Sequence, residues 1–97
     1  DWVTQAWERY IPNSLADIAA MPTDTPIDQT AKRERELALY RLSRKYLYMW
    51  QKWTDEIAPT GALRRLRRDI ETMKADLRIT PEEEQMILRQ LNIAPEE

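Results

Sequence analysis

Residues 63–77 read LRRLRRDIETMKADL, and two patterns overlap in them. Leu63, Leu66, Ile70, Met73 and Leu77 recur at spacings of three, four, three and four, the a/d seam of a helix laid against another helix. Between the seam positions stand Arg64, Arg65, Arg67 and Arg68, in a chain whose formal net charge is only -2. The seam decides the fold, and the arginines pose the functional question.

The seam covers about two heptads, too short for a free coiled coil and well matched to an antiparallel pairing with the segment before it. That segment, TAKRERELALYRLSRKYLYMWQKWTDEI, contains neither Pro nor Gly. It predicts a long helix from Asp28 or Thr30 to Ile57. Residues placed at 100° intervals put Leu39, Leu42, Tyr46, Met49, Trp50, Trp53 and Ile57 in one stripe, expected to be the inner face. Tyr40 and Leu47 fall on a shoulder of that stripe, to be covered by a second element such as the Trp-rich N-terminal segment. Tyr48 points the opposite way. Ala58-Pro59-Thr60-Gly61 breaks the helix before the seam begins.

Outward from this pair, DWVTQAWERYIPNS predicts a short helix ended by Pro12, with Ser14 capping a further helical turn over LADIAAM. MPTDTPIDQT, with two prolines, reads as a linker. Downstream, Thr80-Pro81-Glu82-Glu83 reads as N-cap, Pro at the first helical position and capping-box acid. It opens a helix through Leu91 with Ile87, Leu88 and Leu91 on its apolar side. The expectation is an all-α protein, a small helical bundle in one domain over residues 1–97. Residues 1–27 form short helical segments and a Pro-containing linker, residues 28–78 a long antiparallel helical hairpin, and residues 80–92 a C-terminal helix. The single glycine argues against an all-β domain, which needs many tight turns.

Composition excludes several chemistries. There is no Cys and no His, which removes thiol nucleophiles, disulfides, zinc sites and Ser-His triads from this chain. One glycine cannot build a phosphate loop. Carboxylates that are close in sequence, such as Glu34 with Glu36, Asp55 with Glu56, and Glu82 through Glu84, point apart or sit at helix ends. No enzymatic activity, cofactor or metal is expected. No apolar run reaches the roughly 20 residues needed to cross a bilayer, and no signal segment stands at the start. A soluble protein is expected, with the cytoplasm favoured by the absence of a signal segment and of disulfides.

Charge is unevenly distributed. Residues 1–31 carry one cation and five acids, residues 32–78 carry 13 and seven, and residues 79–97 carry one and five. A basic middle is flanked by acidic ends. Arg65 and Arg67 stand four residues before Asp69 and Glu71, pairs worth a few tenths of a kcal/mol in that order. Arg64 and Arg68 remain to be explained; Asp55 or Glu56 could reach Arg64 or Arg65 across the 58–61 break, and the acidic first turn of the last helix, Glu82 to Glu84, is another possible partner. On the preceding helix Arg44, Tyr48 and Lys52 form an i, i+4, i+8 row in which a tyrosine between cations could stack on a base.

Two functions follow. The first is a non-enzymatic protein–protein interaction or assembly module, docking through exposed aromatic and charged helix faces, with Trp2, Trp7, Tyr10 and Tyr48 as candidate interface residues. Another protein or self-association is its expected partner, because four Trp and four Tyr exceed what so small a core needs. The alternative is a nucleic-acid-binding protein using Arg44, Tyr48, Lys52, Arg64 and Arg68 on the basic side of residues 32–78. An amphipathic helix lying on a membrane is disfavoured, since the apolar stripes have internal partners available.

Overall fold

The structure is a computed structural model that describes residues 2–57 and 60–92; the side chains of residues 2–7, 53–57, 60 and 62 lie outside that description. The fold is all-α. The described residues form four helices, α1 (Trp2–Ala19), α2 (Pro26–Ile57), α3 (Thr60–Asp76) and α4 (Pro81–Gln90), and no strand. The chain divides into two compact units, Asp1–Leu39 and Tyr40–Glu97.

In the first unit α1 is one helix of 18 residues with Pro12 inside it, not a short helix ended there. An interior proline removes a backbone hydrogen bond and costs about 3 kcal/mol. Ile11 and Ile18, seven residues apart on one face, are both buried. Each such side chain contributes roughly 1.5–3 kcal/mol when buried, which offsets the proline. After α1 the linker is short. The Thr25 hydroxyl accepts from the Asp28 N–H at 3.1 Å, and Pro26 occupies the first helical position. The start of α2 is therefore earlier than the Asp28 or Thr30 read from the Pro- and Gly-free segment. Gln29 holds the turn, donating from Nε2 to the Thr23 carbonyl at 3.2 Å.

In the second unit the α3 seam is buried as its spacing requires: Leu66, Ile70, Met73 and Leu77 are interior and Leu63 is half-buried. Tyr40, Leu47, Ile79, Ile87 and Leu88 complete the core. Two contacts tie α2 to α3. The Ser43 hydroxyl donates to Met73 Sδ at 3.6 Å, and the Gln51 side-chain oxygen, in the amide orientation that satisfies both groups, accepts from Arg67 Nε at 3.1 Å. Residue numbers rise along one helix as they fall along the other.

The end of α3 is a Schellman motif on a non-glycine residue. Arg78 has φ 52°, with Ile79 N–H donating to the Lys74 carbonyl at 3.0 Å and Arg78 N–H to the Ala75 carbonyl at 3.2 Å. Ile79, just past the cap, is buried, which supplies the apolar contact this motif favours. α4 then opens on a full capping box. Thr80 Oγ1 accepts from the Glu83 N–H at 3.1 Å, and Glu83 Oε1 accepts from the Thr80 N–H at 3.0 Å.

The rotation of α2 differs from the sequence expectation. Its buried residues in the second unit are Tyr40, Ser43, Arg44 and Leu47, while Leu42 and Met49 are exposed. Relative to the stripe drawn from hydrophobicity, the inner face is turned by about a third of a revolution at 100° per residue. Tyr40 and Leu47, expected on a shoulder, lie in the interior. The physical reason is polar: Ser43 finds Met73 and the Tyr40 hydroxyl finds Glu84 on α4, so these groups are buried with partners.

Candidate interaction face

The turns of α2 from Tyr40 to Lys52 present two unlike sides. Inward, Ser43 is 0% and Arg44 is 5% exposed. Outward, Leu42 is 41% and Met49 is 58% exposed. Tyr40 and Leu47 are buried beside these two polar residues, and Arg41, Lys45 and Lys52 are exposed beside the two apolar ones. Tyr46 and Trp50 are intermediate; their rings stack with centroids 5.9 Å apart and planes 24° apart. The indole N–H of Trp50 is buried with no acceptor among the described residues. Met49, expected on the inner stripe, is exposed instead, and so is Met86 on α4.

Of the predicted anion-binding row, Arg44 is buried, so its guanidinium belongs to the interior and not to a solvent-facing strip. Tyr48 and Lys52 are together, the Lys52 ammonium lying 5.0 Å from the Tyr48 ring centroid. This cation–π contact at an exposed site is worth about 0.5–1 kcal/mol. On α3, Arg64 and Arg68 are exposed, and neither forms an ion pair with another described residue. Arg67 reaches Gln51 on α2. The side chains of Asp55 and Glu56, proposed to answer Arg64, lie outside the described residues, as do those of Trp2, Trp7 and Trp53. Tyr10, in the first unit, is exposed.

Beneath this face lies a partly buried polar cluster that the sequence did not disclose. Glu84, in the first turn of α4, accepts the Tyr40 hydroxyl at 3.3 Å and pairs with Lys74 Nζ at 2.6 Å. Burial pushes the Tyr40 hydroxyl above its ordinary range; Arg44 opposes this, and Glu84 reinforces it by charge and by hydrogen bond. The Lys74 ammonium is likewise held up, first by its hydrogen bond to Glu84, against a smaller opposing effect of burial. Burial also raises the Tyr46 hydroxyl. Near the other end of α4, Arg41 Nη1 donates to Gln90 Oε1 at 3.4 Å. Patterning could not reveal this cluster, because Glu84 reads as one of three helix-opening acids and Lys74 as one of many surface cations.

Among the described residues no group of three or more acidic side chains is placed to hold a metal ion, and no helix is long and apolar enough to cross a membrane. Comparison with protein-family models, curated proteins and solved structures finds no match to this chain.

Proposed function

We propose that this chain is a non-enzymatic protein–protein interaction module that docks another chain through the outward side of α2. One observation carries the reading: over the same turns α2 buries Ser43 and Arg44 and exposes Leu42 and Met49. Exposed apolar side chains scattered singly are ordinary, but here two of them, seven residues apart, share one side of a helix whose opposite side buries Ser43 and Arg44. Tyr48 and the half-exposed pair Tyr46 and Trp50 flank the same turns, and aromatic residues are enriched at interfaces. The absence of Cys and His supports a role without catalysis. The test is photo-crosslinking in cells that make the protein, with p-benzoylphenylalanine at position 49 and, as control, at exposed position 72 on α3. A partner captured at 49 and not at 72 is the expected result; no adduct at 49 would sink the reading.

A second reading, binding of nucleic acid, draws on the Gln51–Arg67 contact. It sets the turn carrying Arg64 and Arg67 beside the turn of α2 that carries Tyr48 and Lys52. Fluorescence anisotropy with short single-stranded DNA and RNA would show affinity falling steeply with salt, and Arg64→Ala with Arg68→Ala would reduce that slope. Absence of binding at low salt would dismiss it.

A further inference from the structure

The outward side of α2 has a spacing and a charge sign that together define what would fit it. Leu42, Lys45, Met49 and Lys52 stand at spacings of three, four and three, and all four are exposed. That is the same interval by which the α3 seam meets its neighbours, so α2 carries a second, solvent-facing seam at helix-packing spacing. Residues 37–54 contain Arg41, Arg44, Lys45 and Lys52 and no Asp or Glu. With Arg44 in the interior, the exposed cations of these turns are Arg41, Lys45 and Lys52.

We infer that the occupant of this seam is an acidic amphipathic helix of a partner protein, its apolar residues resting on Leu42 and Met49 and its carboxylates meeting Lys45 and Lys52. The inference rests on the docking reading above and adds the chemistry of the partner. A helical occupant follows from the three-four-three spacing. An acidic one follows from charge complementarity, since Lys45 sits between Leu42 and Met49, where a basic partner would meet it directly. A second copy of the chain is disfavoured, because a two-fold pairing of the seam on itself would oppose Lys45 and Lys52 to their own equivalents. A membrane surface is disfavoured as well, because an interfacial helix needs a broad apolar face and here a lysine interrupts a narrow one. Met49 suits the role, since methionine adapts to irregular partner surfaces.

Two designed 18-residue amphipathic peptides test the inference, identical in their leucine seam and flanked either by glutamates or by lysines. Their binding to the full chain is read by fluorescence anisotropy at low and high salt. The glutamate peptide should bind at least tenfold tighter than the lysine peptide and weaken with salt. The double variant Lys45→Glu, Lys52→Glu should lose at least tenfold for the glutamate peptide and come to prefer the lysine one. These positions are exposed, and circular-dichroism melts confirm that the variant is folded. Equal binding of both peptides, or preference of the native chain for the lysine peptide, overturns the acidic occupant. So does binding to phosphatidylcholine–phosphatidylserine vesicles in place of either peptide, or a concentration-dependent dimer in sedimentation that Met49→Glu abolishes. A crosslinked partner at position 49 together with preference for the lysine peptide would leave the docking reading standing and remove only the acidic partner. No crosslink and no peptide binding would remove both.

Discussion

Lys74 on α3 and Glu84 on α4 face each other at 2.6 Å between ammonium nitrogen and carboxylate oxygen. The same carboxylate accepts the Tyr40 hydroxyl from α2, so one side chain joins all three helices of the second unit. Lys74 retains about a third of its exposure, which screens the charge attraction and leaves the hydrogen bonds as the larger contribution.

Tyr40→Phe removes one hydrogen bond at a buried position and should destabilise the protein by about 1 kcal/mol. Glu84→Gln keeps the shape and removes the charge, at a similar cost. A double-mutant cycle of Glu84→Gln with Lys74→Met, read by urea unfolding, should give a coupling energy of roughly 0.5–1 kcal/mol. A coupling indistinguishable from zero would mean that the pair contributes only geometry.

The same groups set an alkaline limit. Tyr40 and Lys74 both hold their protons more tightly when folded than when unfolded. The stability they contribute is therefore fully present below their unfolded values near pH 10 and is lost as pH rises through the folded ones. The urea midpoint should start to fall near pH 10 and go on falling above it, and Tyr40→Phe should flatten that fall. Absorbance at 295 nm checks the mechanism. Tyr40 should ionise only as the protein unfolds, so reversible titration of all four tyrosines near pH 10 in a folded chain would contradict it.

Thr25 and Thr80 cap α2 and α4 with the same chemistry, a hydroxyl accepting from the third helical N–H. Substitution of either by Ala should cost about 1 kcal/mol, within the 0.5–2 kcal/mol range of such caps. Hydrogen exchange locates the effect: Thr25→Ala should speed exchange at Asp28, and Thr80→Ala at Glu83, while the bond from the residue-80 N–H to the Glu83 carboxylate is kept.

Two substitutions should stabilise. Arg78 occupies a left-handed conformation that disfavours a side chain, so Arg78→Gly should raise stability by about 0.5–1 kcal/mol. Gly61 lies in the first turn of α3 without positive φ, and an added Cβ would meet nothing within 4 Å. Gly61→Ala should add about 0.5 kcal/mol by restricting the unfolded chain. Thermal melts of both variants provide the check, and a lowered Tm for either would contradict the stated backbone argument.

What could be read from residues alone divides along physical lines. The α3 seam was legible because Leu66, Ile70, Met73 and Leu77 alternate at a strict interval and are all buried. The capping box of α4 was legible because Thr, Pro and Glu stand at fixed offsets. Thr25-Pro26 opens α2 by the same offset, but the two prolines of MPTDTPIDQT read as a linker and mask the cap. The Schellman turn at Arg78 carries no glycine to announce it, so only its hydrogen bonds reveal it. The rotation of α2 was hidden for a deeper reason. Hydrophobic patterning weighs Leu42 and Met49 as core and Arg44 as surface, whereas pairing of Ser43 with Met73 and of Tyr40 with Glu84 favours the opposite setting. Partners on other helices, far away in sequence, decided it. The candidate face was missed with it: Tyr48 and Lys52 were named, and the exposed Leu42 and Met49 beside them were not.

The outward turn of Met49 also places a redox-sensitive atom in the open. Met49 is 58% exposed and Met73 is 1% exposed, so a mild peroxide treatment should reach the first sulfur long before the second. Oxidation would set a polar sulfoxide in the middle of the outward seam while leaving the core thioether, and its contact with Ser43, untouched. The rate of that single chemical step thus records whether the face is covered, without labels or substitutions, and a partner seated there would register as protection of one methionine.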